Sequence, residues 1–430
     1  MTTTWTPVPP QNGAAGEPIS ERDRRDARWA DLERLRGSHP MMDAVIDEVR
    51  GRRIRVGDQW LCDFASCNYL GFDLHPEIID SVEPAVRRWG IHPSWSRLLG
   101  SPRLYVEIED RLTELLGAPD SLVLPTITII HTAIIPVLAG EGAVLVDAQA
   151  HKTIYDGARI ARGDGARLRR VHANDPGHLE EILRTLPPSM PRMFCIDGVN
   201  SMTGNAPYLP EYARICRQYD CLLYVDDAHG FGVIGESPSP EMPYGYRGNS
   251  IVKYFGETYD NIVLVAGFSK SYSSLAAFLA LPTSLKNHLK VAAPPYLYSG
   301  PSPTASLATV LAGFRVNDAE GDDIRRRLWH KSSRLLARID QLGLRTLNTS
   351  GFPVIELPLG PGDDIDKVGR FLFERGIYVT LAAYPLVPKA QVGFRIQVTA
   401  ANGEDEIEQL IEVLGELAER FDMQRTSAPG

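Results

Sequence analysis

Several polar side chains in this chain of 430 residues follow directly on apolar runs, where a charge is costly to bury. Lys270 stands in GFSKSYSS after NIVLVAG. Asp226 closes CLLYVD, and in YVDDAHGFGVIG it is followed by Asp227 and then His229. His151 comes after AVLVDA, and MFCIDGV carries Asp197 and leads into Asn200 and Ser201. A lysine amine captures an aldehyde as a Schiff base. A carboxylate at a buried strand end is stable beside a cation and holds that cation's proton in place. An imidazole supplies a flat face to stack on and a ring nitrogen to hydrogen-bond.

These residues share a position only if the runs before them lie in one sheet. The candidate strands are LCDFAS, SLVLP, AVLVDA, RLRRVHA, MFCIDGV, CLLYVD, NIVLVAG and AAFLALP. Several are apolar at both parities, as strands covered on both faces are. Helical patterns alternate with them. In SPRLYVEIEDRLTELLG, Ser101 is the expected N-cap, Leu104, Ile108, Leu112 and Leu115 share one face, and Gly117 ends the helix. This βαβ rhythm predicts an α/β fold with a mainly parallel, three-layer sheet. Ligands of such sheets bind beyond the carboxyl ends of the strands, where the polar residues above collect.

Residues 1–20 read as a flexible Pro- and Gly-rich tail, as does the final TSAPG, and ERDRRDARWADLERLRG reads as a solvated helix ending at Gly37. The expected division is an N-terminal tail and helical segment over 1–62, a large domain over 63–303 and a smaller α+β domain over 304–430. The last contains a long helical region, the strands FPVIELPL, IYVTLAA and GFRIQVTA, and a closing helix.

Composition sets outer limits. Hydrophobic residues at 43% and charged residues at 23% suit a globular protein, and a net charge of −9 gives no electrostatic case for nucleic acid or an anionic membrane surface. Five cysteines without metal-ligand spacing read as reduced thiols, and no metal site is expected. No apolar run is long enough for a membrane span and no secretory leader is evident, so the expected location is the cytoplasm.

A carboxylate, an amine and a stacking imidazole at one sheet edge suit pyridoxal 5'-phosphate (PLP), whose aldehyde takes a lysine and whose pyridine nitrogen must keep its proton to draw electrons. The segments SCNYLGF, WSRLLGS, DAQAHKTIYDG, DGVNSMTGNAP, VDDAHGFGVIGE and GFSKSYSS, in this order and spacing, resemble the α-oxoamine synthase family of fold-type I PLP enzymes over about residues 63–400. The resemblance implies that Lys270 bears the Schiff base and moves the Cα proton. It implies that Asp226 pairs with the ring nitrogen, His229 bonds the ring oxygen and His151 stacks on the ring. Ser201 and Asp197 match a pair near the ring oxygen and the histidines. Arg395, in GFRIQVTA, matches the arginine that holds the amino-acid carboxylate. Asp227 reads as structural, on the opposite face from Asp226 by strand alternation.

Three departures from the family stand out. The Gly-aromatic-x-x-Asn segment that cradles the phosphate is PTITIIH (125–131), where Thr126 and Thr128 offer hydroxyls or a plain helix cap. Two phosphate-binding threonines fall at Gly267 and Gly300, leaving Ser269 and Ser299 nearby, the latter directed to a second subunit's phosphate in an implied homodimer. Cys67, beside Asn68, replaces a substrate-side asparagine, and a small buried apolar role is the simpler reading of its thiol.

The implied activity is decarboxylative condensation of a small amino acid with an acyl thioester, on coenzyme A or a carrier protein, to an α-amino ketone. The departures point away from a housekeeping biotin or haem role and towards specialised metabolism. The alternatives are an aminotransferase or aldolase-type enzyme on the same fold, or a non-catalytic partner subunit.

Overall fold

Strands that are apolar at both parities need cover on both faces, and the three-layer fold supplies it. The computed structural model describes residues 29–426. Three short strands come first: β1 (Glu48–Arg50), β2 (Arg53–Val56) and β3 (Gln59–Asp63). The large sheet follows with β4 (Asp120–Leu124), β5 (Ala143–Asp147), β6 (Arg167–Val171), β7 (Arg192–Asp197), β8 (Leu222–Asp226), β9 (Ile262–Gly267) and β10 (Ala277–Leu281). Their spatial order is β4-β10-β9-β8-β7-β5-β6. β10 runs antiparallel to both its neighbours, whereas β9, β8, β7, β5 and β6 pair in parallel.

On one face of this sheet Leu145, Phe194, Ile196, Leu223 and Val225 join the larger core; on the other, Val144, Val146, Cys195, Tyr224 and Val263 pack under the helices Ile127–Ala139 and Lys152–Gly163. Those two helices approach closely because Gly157 has no side chain: a Cβ there would stand 2.2 Å from the carbonyl oxygen of His131.

The Arg103–Leu116 helix buries Leu104, Ile108, Leu112 and Leu115 as the spacing predicts, and Gly117 ends it with φ 58°. Its expected N-cap is corrected. Pro102 occupies that position, and the Ser101 hydroxyl instead accepts a hydrogen bond from Arg97 Nε at 3.1 Å.

The 38-residue helix Thr304–Gln341 leads into β11 (Val354–Pro358), β12 (Ile377–Tyr378), β13 (Thr380–Ala382) and β14 (Gly393–Gln397). β11, β14 and β13 form a small antiparallel sheet in that order. β12 pairs in parallel with β3, so β1–β3 share a sheet with the C-terminal part. The strands β1 and β2 precede the first strand read from the sequence, LCDFAS, which overlaps the end of β3. The described part of the N-terminal helix runs Ala30–Ser38, one residue past Gly37. Both expected tails lie mostly outside the described residues. Among the described residues no helix is long and apolar enough to cross a membrane.

Candidate active site

The end of β8 sets the centre of the site. Tyr224 and Asp226 are two residues apart on a strand, so their side chains leave the same face. The Ile127–Ala139 helix covers that face and places His131, fully buried, against both. His131 Nδ1 lies 2.9 Å from the Tyr224 hydroxyl and Nε2 lies 2.9 Å from Asp226 Oδ2. Burial holds the Tyr224 phenol well above its ordinary pKa, so its O–H remains a donor. The tautomer that satisfies all three groups carries hydrogen on Nε2: Tyr224 donates to Nδ1, and Nε2–H donates to Asp226. Asp226 Oδ1 accepts from the Ala228 amide at 3.0 Å. Burial pushes the Asp226 carboxyl up, but His131, through its hydrogen bond, and the neighbouring Lys270 and His151 outweigh it and hold the pKa below the usual value. Asp226 is thus a buried, oriented carboxylate.

Asp197 is its cross-strand neighbour at the end of β7. Its Oδ1 accepts the His151 amide at 2.9 Å and its Oδ2 the Asn200 side-chain amide at 3.1 Å. Burial first, and the Asp226 charge second, push its pKa well up. The two neighbouring carboxyls are thus pushed in opposite directions, Asp226 down and Asp197 up. His229 Nδ1 lies 2.7 Å from the Tyr69 hydroxyl, itself buried and held protonated by burial. Burial, with Lys270 and Arg395 adding to it, keeps His229 well below its ordinary pKa. Tyr69 therefore donates to Nδ1, and His229 Nε2–H is left to donate into the cavity.

That cavity is lined by Ile127, His151, Asp197, Val199, Ser201, Asp226, Ala228, His229 and Lys270. Six residues singled out in the sequence thus meet around one space. Asp227 faces away, accepting from Val199 N, Ile251 N and Ser250 Oγ at 3.1, 2.8 and 2.5 Å.

The small sheet closes the site from the other domain. Arg395 on β14 reaches the Ser201 carbonyl at 2.5 Å. Gln397, on the same face of β14, accepts from the Cys67 thiol at 2.5 Å and lies 3.4 Å from the Tyr69 hydroxyl that holds His229. Cys67 is half-buried and hydrogen-bonded, so the purely apolar reading of its thiol is corrected. Asn68 is tied to Asp73 and, at 3.0 Å, to Ser273, three residues beyond Lys270.

Comparison with known proteins agrees with this geometry. A family model for aminotransferase class I and II matches residues 61–414. The 8-amino-7-oxononanoate synthase of Pseudomonas putida is 30% identical over 401 residues, covering 91% of this chain and 95% of the relative. That of Ectopseudomonas mendocina is 31% identical over 381 residues, covering 86% and 92%. The chain belongs to the α-oxoamine synthase family. Among solved structures, serine palmitoyltransferase from S. paucimobilis superposes with a TM-score of 0.84 at 23% identity, covering 93% of this chain and 98% of that one. This structure shares its fold.

PLP is the cofactor of this α-oxoamine synthase fold, and the donor set fits it: a buried carboxylate, an amine and an imidazole N–H face one cavity. The phosphate end is less complete. Thr126 caps the Ile127–Ala139 helix, its hydroxyl accepting from Ile129 N at 3.3 Å, while Thr128 is exposed. Thr128, Ser269 and Ser299 lie outside the cavity lining, and Ser299 bonds only its neighbour's carbonyl, at 3.2 Å. Two of the departures are one feature. A Cβ on Gly267 would stand 2.9 Å from Ile127 Cδ1, so Ile127 occupies the space that a side chain at Gly267 would need.

Sequence reading missed His131, Tyr69, Gln397 and Glu356. His131 did leave a signal. It is a lone histidine in a helix otherwise almost wholly apolar, and such a group must find polar partners on burial.

Proposed function

We propose that this protein joins a small amino acid to an acyl thioester, on coenzyme A or a carrier protein, with loss of CO2 to give an α-amino ketone. In the balance of the reaction the amino acid loses its Cα proton and gains the acyl group at Cα. The thiol leaves, the carboxylate departs as CO2, and a proton returns to carbon. The observation that carries this reading is the meeting of Lys270, Asp226, His229 and His151 at one cavity in a chain of this family.

PLP, when bound, supplies the electron sink that makes the Cα proton removable. Asp226 holds the proton on the ring nitrogen, and its charge is ready because His131 and Ala228 already orient it. His229, with Nδ1 held by Tyr69, would donate to the ring oxygen through Nε2–H, and His151 would cover the ring face. Lys270 anchors the aldehyde and carries the Cα proton. Arg395 takes the amino-acid carboxylate, with Cys67 and Asn68 shaping the substrate side, and Ser201 and Asp197 serve the cofactor near the ring oxygen and the histidines. The N-terminus of the Ile127–Ala139 helix, with Thr126, Thr128 and Ser269, would hold the phosphate. Ser299 completes that site from a second copy, so the working form is a homodimer. The ring is held from residues 63–303 and the carboxylate from 304–430. A role in specialised metabolism accords with the altered phosphate segment, and we place that role in the cytoplasm.

The test mixes the PLP-loaded enzyme with glycine, alanine or serine and a panel of acyl thioesters. Equimolar thiol and CO2, each requiring both substrates, is the expected result. Amino transfer to a keto acid without any thioester would overturn the reading in favour of an aminotransferase, and absence of both reactions would favour a non-catalytic subunit.

A further inference from the structure

Glu356 is a buried carboxyl with no use in the scheme above. It sits on β11 directly opposite Arg395 of β14, and Thr380 of β13 opposes Arg395 from the other side. Opposed residues of an antiparallel pair share a face with Cβ atoms about 5 Å apart, so Glu356, Arg395 and Thr380 form one row. Gln397, two residues beyond Arg395, is on that face too and reaches Cys67 and Tyr69, so the row faces the candidate site.

Glu356 is fully inaccessible, and neither of its carboxyl oxygens has a hydrogen-bond partner among the described residues. Arg395 does not relieve it. The guanidinium extends past it to the Ser201 carbonyl and Met202 sulfur, leaving Arg395 Nε unpartnered. A carboxylate buried without donors costs several kcal/mol, and an apolar residue would avoid that cost. An acid kept here, beside an arginine with a free N–H, suits a ligand that engages both.

We propose that Glu356 is the acid half of the amino-acid clamp, protonating as the substrate carboxylate binds Arg395 and donating that proton as a hydrogen bond to it. This rests on the reading of Arg395 as the clamp. A second carboxylate brought beside the same guanidinium leaves a net negative charge there, which favours a proton on one of the two. The row is built for that outcome. β14 brings Arg395 and the uncharged Gln397, β13 brings Thr380, and the turn at 200–204 brings Asn200, Ser201, Met202 and Thr203. Thr346, which bonds the Glu356 carbonyl, is uncharged as well. Burial raises the Glu356 pKa to about 7 before any ligand arrives, and Arg395 is the charged group that opposes the rise. The ligand class is an α-amino acid bearing a free carboxylate.

The experiment is calorimetric titration of the holoenzyme with glycine, alanine and serine, in two buffers of different ionisation heat, at pH 6 and pH 8. Wild type is compared with Glu356→Gln, which keeps a donor but cannot ionise. Proton exchanges of the substrate amine and Lys270 are common to both and cancel. A carboxyl with pKa about 7 is roughly nine-tenths ionised at pH 8. Wild type should therefore take up about 0.9 proton more than E356Q at pH 8 and almost none more at pH 6. Relative to E356Q, its affinity should weaken about tenfold between those values. Glu356→Leu, which removes the donor and suits the buried position, should fold normally and bind about tenfold more weakly at pH 6. Equal proton counts and equal pH profiles for wild type and E356Q would overturn the proposal. Arg395→Lys separates the two possible failures. If R395K binds amino acid as wild type does, the clamp reading falls and this proposal falls with it. If R395K loses binding while E356Q matches wild type, the role of Glu356 alone is wrong.

Discussion

Asp226 and Asp227 are adjacent, both buried at the end of β8, and opposite in electrostatic fate. Asp226 faces His131, Lys270 and His151, and the His131 hydrogen bond and the Lys270 charge hold its pKa below the ordinary value against the cost of burial. Asp227 turns to the opposite side and meets only neutral donors, the amides of Val199 and Ile251 and the hydroxyl of Ser250, and burial lifts its pKa to about 6. Number of hydrogen bonds does not separate them. The presence of opposing charge does, so one carboxylate stays charged at the cavity while the other fastens turns together.

The largest test of that contrast is Asp226→Asn. The amide can still accept from His131 but turns its NH2 towards the Ala228 amide, so a modest stability loss of about 1 kcal/mol is expected, while the charge is gone. Turnover is expected to fall on the order of 10²–10³-fold, read as kcat on PLP-loaded enzyme. A large loss of stability with little loss of turnover would reverse the roles assigned to the two residues.

His131→Leu attacks the same corner from behind. It strands the Tyr224 hydroxyl and removes a donor from Asp226, both out of reach of water. Breaking a buried pair from one side costs about 4 kcal/mol, measurable by denaturant unfolding of the apoprotein. Affinity for PLP should fall as well, because Asp226 loses its orientation. A variant as stable as wild type would show that Asp226 needs no support from this helix.

Asp227→Asn should do the reverse of Asp226→Asn: destabilise by about 2 kcal/mol, through an amide hydrogen turned towards backbone donors, with kcat of the folded enzyme nearly unchanged. The pH dependence adds a sign. With a folded pKa of about 6 against about 3.9 unfolded, the folded protein binds more protons between those values. Stability contributed by this residue therefore rises as pH falls from 6 towards 4. The wild-type advantage over D227N should widen by up to ~3 kcal/mol across that window, in paired urea titrations. A narrowing would mean that Asp227 is charge-stabilised after all.

This division was partly legible in the sequence. Strand alternation separates Asp226 from Asp227, and apolar runs at both parities mark the sheet and the edge where Lys270, His151, Ser201 and His229 collect. His131 was not legible as a partner, because its contacts lie 93 and 95 residues away and depend on which helix covers which face. Glu356 was hidden for a similar reason: only the β11–β14 register sets it opposite Arg395. The strands β1 and β2 are three and four residues long, too short for periodicity to mark, and they find stability in a sheet with distant β12. Local pattern reports which face a residue takes; pairing across the chain decides what it meets there.

The smallest expected effect concerns the phosphate end, where sequence departures cluster instead of charges. Gly267→Ala places a methyl 2.9 Å from Ile127 Cδ1, the far end of a side chain that can turn aside into the cavity. The cost should be about 1 kcal/mol, with a modest loss of PLP affinity as Ile127 intrudes on the space it lines. Ile127→Ala should remove that penalty, so the double variant is expected to be more stable than the two single changes sum to, by about 1 kcal/mol in a mutant cycle. In that opened background Gly267→Thr would add a hydroxyl near the Thr126 helix cap, and PLP affinity should rise above that of I127A alone. Additive single effects would mean that the two departures arose independently, and that the phosphate end owes nothing to the packing of Ile127 against Gly267.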